Sequence, residues 1–146
     1  KVVVQRSKKS YVKVNNNIVG SIDNGLVILV GFTNEDTIDD INYIVKKIIG
    51  LRIFDDNNGI MNLSIRETNG SILSISQFTL YGDTKNGNRP SYINAMKSNE
   101  AIKLYEKFNS ELKKYVNVET GIFGAEMEVS IINDGPVTIL IDSKDK

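Results

Sequence analysis

The chain has no histidine, no cysteine, only two prolines and no excess charge of either sign. Each absence removes a class of chemistry. Without His or Cys there is no Ser-His-Asp triad, no Cys-His pair, and no imidazole or thiolate ligand for a metal. No disulfide can form, which fits a reducing compartment. The 18 basic residues balance 18 acidic ones, so the totals do not announce a general basic grip on nucleic acid. No apolar run approaches the ~20 residues of a membrane span. No signal-peptide pattern opens the sequence, which starts at Lys1 without an initiator Met. The expectation is a soluble, cytoplasmic protein that uses neither metal nor other cofactor. If it is an enzyme, proton transfer falls to carboxylate, Lys, Tyr, water or the substrate itself. Backbone N–H groups aimed at developing negative charge are the main device left.

With 146 residues the chain is expected to form one domain, large enough to bury roughly 70% of its unfolded surface. Lys1 to Arg6 reads as a short, central β-branched strand. Tyr11 to Val14 and Ile18 to Ile22 flank three asparagines, which tolerate positive φ and predict a hairpin. Leu26 to Phe32 (LVILVGF) is a strongly apolar strand. Thr37 predicts a helix cap, with Asp40 three residues on and Asp39 favouring the N-terminal dipole. Ile38, Ile41, Val45, Ile48 and Ile49 then share one face at helical spacing. Leu51 to Phe54 is expected to return to sheet, and Asp55 to Gly59 to form a plain turn, since its acidic residues lack the alternation of a calcium loop. Asp83 to Pro90 is a polar loop whose Lys85 and Arg89 suit ordinary solvation as well as phosphate contact. Ser98 or Asn99 caps a second helix with Ala101, Leu104, Tyr105, Phe108, Leu112 and Tyr115 inward. Met127, Val129 and Ile131 alternate with polar neighbours, Asn133 to Pro136 reads as a turn, and Val137 to Ile141 is the last strand. The fold class is α+β: a single sheet-dominated, barrel-like domain over residues 1–146 with two main helices.

Ser71 to Leu80 (SILSISQFTL) is the stretch around which the rest is organised. Its first half suits a buried strand. Its second half, Ser76-Gln77-Phe78-Thr79, sets hydroxyl, amide and backbone N–H groups at the strand's end, a polar site on a rigid support. An amphipathic strand end with a wet Ser and Thr would carry the same residues. The second landmark is Asn133-Asp134-Gly135-Pro136, where the tight X–Pro connection suits either an ordinary turn or a cis bond.

Together, SQFTL at Ser76 to Leu80 and NDGPVT at Asn133 to Thr138 resemble the paired motifs of the D-aminoacyl-tRNA deacylases (D-tyrosyl-tRNA deacylases). The blocks VVVQR at Val2, LRIF at Leu51, MNLS at Met61, RPSY at Arg89 and FGAEM at Phe123 follow in family order, so the resemblance spans nearly the whole chain. It implies a homodimer, with sites at the subunit interface, that hydrolyses the ester between a D-amino acid and the 3′-terminal adenosine of tRNA, glycine also being accepted. Carried over by position, Phe78 and Thr79 supply backbone N–H groups for an oxyanion hole, and Ser76 and Gln77 line the same pocket. Gly135-Pro136 is implied to be cis and to enter the partner's site, its carbonyls excluding the side chain of an L-amino acid, as in the D-specific branch. Arg6 matches the arginine that steadies that loop, and Asn133 opens the motif. Tyr11, Ser7 and Ile122 depart from the residues usual at their positions.

Thr79 is the tempting nucleophile, but no His is present to take its proton and no Lys falls in either motif. An aminoacyl ester is already activated and carries a neighbouring ribose 2′-hydroxyl. The expected mechanism is therefore oxyanion stabilisation, with the 2′-hydroxyl and a water moving the protons. Two rival readings use the same residues. One is a non-catalytic dimeric module that binds the tRNA 3′ end or another small ligand, and the other is an edge strand and a turn at a dimer contact.

Overall fold

The computed structural model describes residues 1–146. Ten strands and two helices follow in the order β1 (Val2–Ser7), β2 (Ser10–Val14), β3 (Asn17–Ile22), β4 (Gly25–Val30), α1 (Ile38–Gly50), β5 (Phe54–Asp55), β6 (Met61–Leu63), β7 (Ser71–Ser76), α2 (Ser98–Leu112), β8 (Val118–Thr120), β9 (Glu128–Ser130) and β10 (Asn133–Ile141). Short 3₁₀ turns occupy Ile65–Glu67 and Phe78–Tyr81. The domain is α+β and dominated by sheet, as its alternating patterns predict.

The main sheet runs β10-β1-β4-β7-β8, and a smaller sheet runs β3-β2-β9. The continuous apolar run of β4 follows from its place between two layers. Leu26, Ile28 and Val30 face the helices, joining Ile41, Val45, Ile48, Phe108 and Leu112 in the larger core. Val27, with Leu73 and Ile75 of β7, faces the small sheet and packs on Val12 and Ile22. β7, the organising strand, is buried on both faces from Ile72 to Ile75.

The hairpin between β2 and β3 turns at Asn15 and Asn16, whose φ values are 51° and 66°. Thr37 caps α1 within a capping box closed by Asp40. Ile38 shares the azimuth of the buried residues but opens the helix and stays 45% exposed, while Ile44 takes a core place instead. α2 starts at Ser98 with Lys97 in the capping position, one residue before the expected caps. It ends at Leu112, so Tyr115 lies past the helical period and is largely exposed rather than inward. Leu51 to Ile53 do not join a sheet; only Phe54 and Asp55 pair, with β6. Asn133 to Pro136 is not a turn between strands but the opening of β10, held against β1 across a register shift between Gln5 and Ser7.

Candidate active site

β7 pairs in parallel with β4, and Ser76 stands opposite Val30 at the end of both strands. The backbone then leaves the sheet. Gln77 N–H still donates to the Val30 carbonyl at 2.7 Å, and the 3₁₀ turn Phe78–Tyr81 follows immediately. This tight exit requires Gly31, because a Cβ there would lie 2.7 Å from the Gln77 carbonyl oxygen. The first turn of a helix leaves its N–H groups without intrahelical acceptors. Phe78 and Thr79 stand at that position, and neither N–H makes a turn or loop hydrogen bond. The Thr79 hydroxyl donates to Gln77 Oε1 at 2.7 Å.

Ser76, Gln77 and Phe78 line a cleft of about 680 Å³, the size of a small-molecule site. Val30, Phe32, Ile75, Met96, Phe123 and Met127 form its apolar walls. Tyr92 meets Phe78 edge-to-face at 5.1 Å, both rings substantially exposed. None of the 16 lining residues is Asp, Glu, Lys or Arg. The cleft therefore offers dipoles, hydroxyls and apolar surface, with the Tyr92 phenol but no carboxylate or amine to act as a general base.

The second motif is built by hydrogen bonds. The Asn133 amide nitrogen donates to the carbonyls of Arg6 and Val137, each at 3.1 Å. Its oxygen accepts from Gln5 and from the Thr138 hydroxyl, each at 3.0 Å. All four of its capacities are used, so one side chain replaces the backbone pairing lost at the register shift. Arg6, with only 11% of its side chain exposed, donates to the Ile53 carbonyl at 2.8 Å and to the Asp134 carbonyl at 3.3 Å. It also pairs with the carboxylates of Asp55 and Asp134, each at 3.4 Å. Gly135 and Pro136, joined by a cis peptide bond, are exposed at the tip. Gly135 has φ of +120°, a region that residues with a Cβ rarely enter.

The two motifs lie far apart in one chain. Ser76 stands opposite Val30, Val30 opposite Val2, and Val2 opposite Ile141. Asn133 belongs to the other end, in line with Ser7, Gly25 and Ser71. Three strand spacings and five residues of rise separate them by roughly 20 Å. Ser76, Gln77 and Phe78 reach the cleft, Thr79 touches it only through Gln77, and Arg6, Asn133, Gly135 and Pro136 stay out of it. The walls from Phe123 and Met127, and the aromatic Tyr92, sit in blocks that sequence reasoning marked without giving them a role. Gly31 was missed, its one signal being a glycine closing an apolar strand.

Of the departures, Tyr11 lies on β2 beneath the Lys13 ammonium, Ile122 is exposed, and the Ser7 hydroxyl is buried without a hydrogen-bond partner.

Comparison with known proteins agrees with this architecture. Residues 3–142 match the family described as D-Tyr-tRNA(Tyr) deacylase. A D-aminoacyl-tRNA deacylase of Geobacillus sp. (strain WCH70) is 54% identical, over 100% of this chain and 97% of that protein. Among solved structures, the c-Myc DNA Unwinding Element Binding Protein superposes with a TM-score of 0.90 at 37% identity, covering 94% of this chain and 95% of its own. One titled as a structural analysis of "a probable eukaryotic D-amino acid tRNA deacylase" superposes at 0.77 with 16% identity, covering 91% and 93%, and shares the fold. From the match over almost its full length and the 54% identity, the chain belongs to the D-Tyr-tRNA(Tyr) deacylase family.

Proposed function

We propose that the protein hydrolyses the ester joining a D-amino acid to the 3′-terminal adenosine of tRNA, in sites completed by a second copy of the chain. The separation of the two motifs carries this reading. Oxyanion donors at Phe78 and Thr79 and a rigid Gly135-Pro136 tip cannot meet within one chain, whereas a homodimer brings the tip of one subunit to the cleft of the other. Support for a second copy comes from β10, which lies at the sheet edge and exposes Leu140, with Ile132 just before it. Open edges of this kind invite pairing with another chain.

In this reading the apolar walls hold the terminal adenosine and the ester carbonyl faces the start of the 3₁₀ turn. A water attacks the carbonyl carbon. The resulting oxyanion is held by the N–H groups of Phe78 and Thr79, then collapses and expels the ribose 3′-oxygen. The 2′-hydroxyl passes its proton to that oxygen and is reprotonated from the attacking water, so ester and water become free amino acid and tRNA. The absence of any carboxylate or amine from the cleft lining supports this substrate-assisted route. Loss of one oxyanion donor costs ~100–1,000-fold in comparable sites. The Gly135 and Pro136 carbonyls of the partner approach the substrate α-carbon and leave no space for an L side chain. Glycine, having no Cβ, passes the same filter, so glycine mischarged on tRNA-Ala is also a substrate.

The test pairs Thr79→Ala with a substrate ending in 2′-deoxyadenosine. Thr79→Ala is expected to keep activity within about tenfold, because the backbone donor survives, while the deoxy substrate loses at least about 100-fold. A dead alanine variant with normal hydrolysis of the deoxy substrate would make Thr79 the nucleophile and end this account.

A further inference from the structure

A second cleft, of about 980 Å³, opens between the C-terminal ends of α1 and α2 and the 3₁₀ turn Ile65–Glu67. Its lining is polar and includes Lys46, Arg52 and Arg66, none of which has a carboxylate within ion-pair distance. The two acids that share the cleft are already engaged. Glu111 bridges Lys107 at 2.9 Å and Lys114 at 2.8 Å, and Glu67 accepts the Ser64 N–H at 2.7 Å. The groove is therefore net basic in a chain whose total charge is zero. Arg66 lies over the Tyr115 ring at 5.3 Å, and Tyr115 is 47% exposed. This cation–π contact holds the guanidinium over the ring, and Arg66 has no carboxylate partner to compete with an anionic oxygen. Arg52 is oriented in turn by its bonds to the Asn62 carbonyl and side chain.

The groove's position gives it meaning. It lies at the Ser71 end of the main sheet, the end that carries the Gly135-Pro136 tip. Arg52 is followed directly by Ile53, whose carbonyl accepts from Arg6, and Arg6 holds Asp134. We infer that this groove, through Lys46, Arg52 and Arg66, holds phosphates of the RNA backbone upstream of the terminal adenosine. The subunit that lends its Gly-Pro tip to its partner's cleft thereby also grips the tRNA whose 3′ end enters that cleft. The inference rests on the two-copy reading above. It adds a binding surface that explains how a protein with no net charge retains a polyanion.

The experiment uses the full chain, wild type against Lys46→Gln/Arg66→Gln, with two substrates: D-Tyr-tRNA, and D-tyrosyl adenosine, which lacks the upstream phosphates. Binding of uncharged tRNA is measured across a salt series in parallel. Removing two phosphate contacts is expected to lower the slope of log affinity against log salt by roughly 1.5 to 2. KM for D-Tyr-tRNA should rise about tenfold or more at low salt, with hydrolysis of D-tyrosyl adenosine unchanged. Arg66→Glu should weaken tRNA binding further. An unchanged slope and unchanged KM for tRNA overturn the inference, as does an equal loss on both substrates. Wild-type protein that binds tRNA with the predicted slope but hydrolyses neither substrate would instead refute the deacylase reading and leave the groove standing.

Discussion

Gly135→Ala tests the chiral filter at a backbone position where a methyl group cannot be accommodated without displacing its neighbours. The alanine Cβ would stand 2.8 Å from both the backbone nitrogen and Cγ2 of Val137, and 3.2 Å from Arg6 Nη2. The Val137 nitrogen belongs to β10 and cannot swing aside as a flexible side chain does. The φ of +120° adds strain of about 1–3 kcal/mol for any residue with a Cβ. At this chain length that corresponds to a fall in Tm of roughly 3–10 °C. The functional loss is larger, because displacing a positioned group by ~1 Å can cost about 100-fold. We expect kcat/KM for D-Tyr-tRNA to fall about 100-fold and the ratio of D to L hydrolysis to collapse. Gly87→Ala is the matched control: its φ is +123°, but a Cβ there meets nothing within 4 Å. It should lose some stability and keep the D/L ratio. Full activity with undiminished D-preference in Gly135→Ala would refute the assignment of the Gly-Pro tip.

Two further outcomes follow from the groups around this framework. Arg6→Gln removes bonds to the carbonyls of Ile53 and Asp134 made by a mostly buried cation, and should cost about 2–3 kcal/mol. Denaturant titration should show that loss together with weaker D/L discrimination, and a wild-type midpoint with wild-type selectivity would contradict the role of Arg6. At Asp40, burial opposes ionisation, but the Thr37 N–H, the Ser143 hydroxyl and the Lys144 ammonium outweigh it and hold the carboxyl at about 2, below its ordinary 3.8. A depressed folded-state pKa means that the stabilisation is complete above about pH 4 and is lost as pH falls toward 2. Asp40→Asn should flatten that part of the stability curve, and an identical acid profile in the variant would show that Asp40 is not responsible.

The elements that packing dictates were legible from residues alone. The run LVILV announced a strongly apolar strand, and Thr37 with Asp40 marked a helix start, because these signals are local. Boundaries were less so where tertiary contacts decide them. Asn133 to Pro136 carries turn residues yet opens β10, since the Asn133 amide and Arg6 supply bonds from distant parts of the chain. Tyr115 follows the spacing of α2 but falls beyond its end. The candidate site divides the same way. Ser76 to Thr79 could be placed as a polar strand end, whereas the walls supplied by Phe123, Met127 and Tyr92 come together only in the fold. The functional pairing of SQFT with NDGP rested on family resemblance. Strand register then places the two motifs at opposite ends of one sheet, a relation that no spacing in the sequence expresses.

The most direct test of the central claim is release of amino acid from matched D-Tyr-tRNA and L-Tyr-tRNA by the purified protein. The account predicts rapid loss from the D-form and none above background from the L-form. No release from either, by folded protein that binds tRNA, would contradict it and leave a binding module in its place.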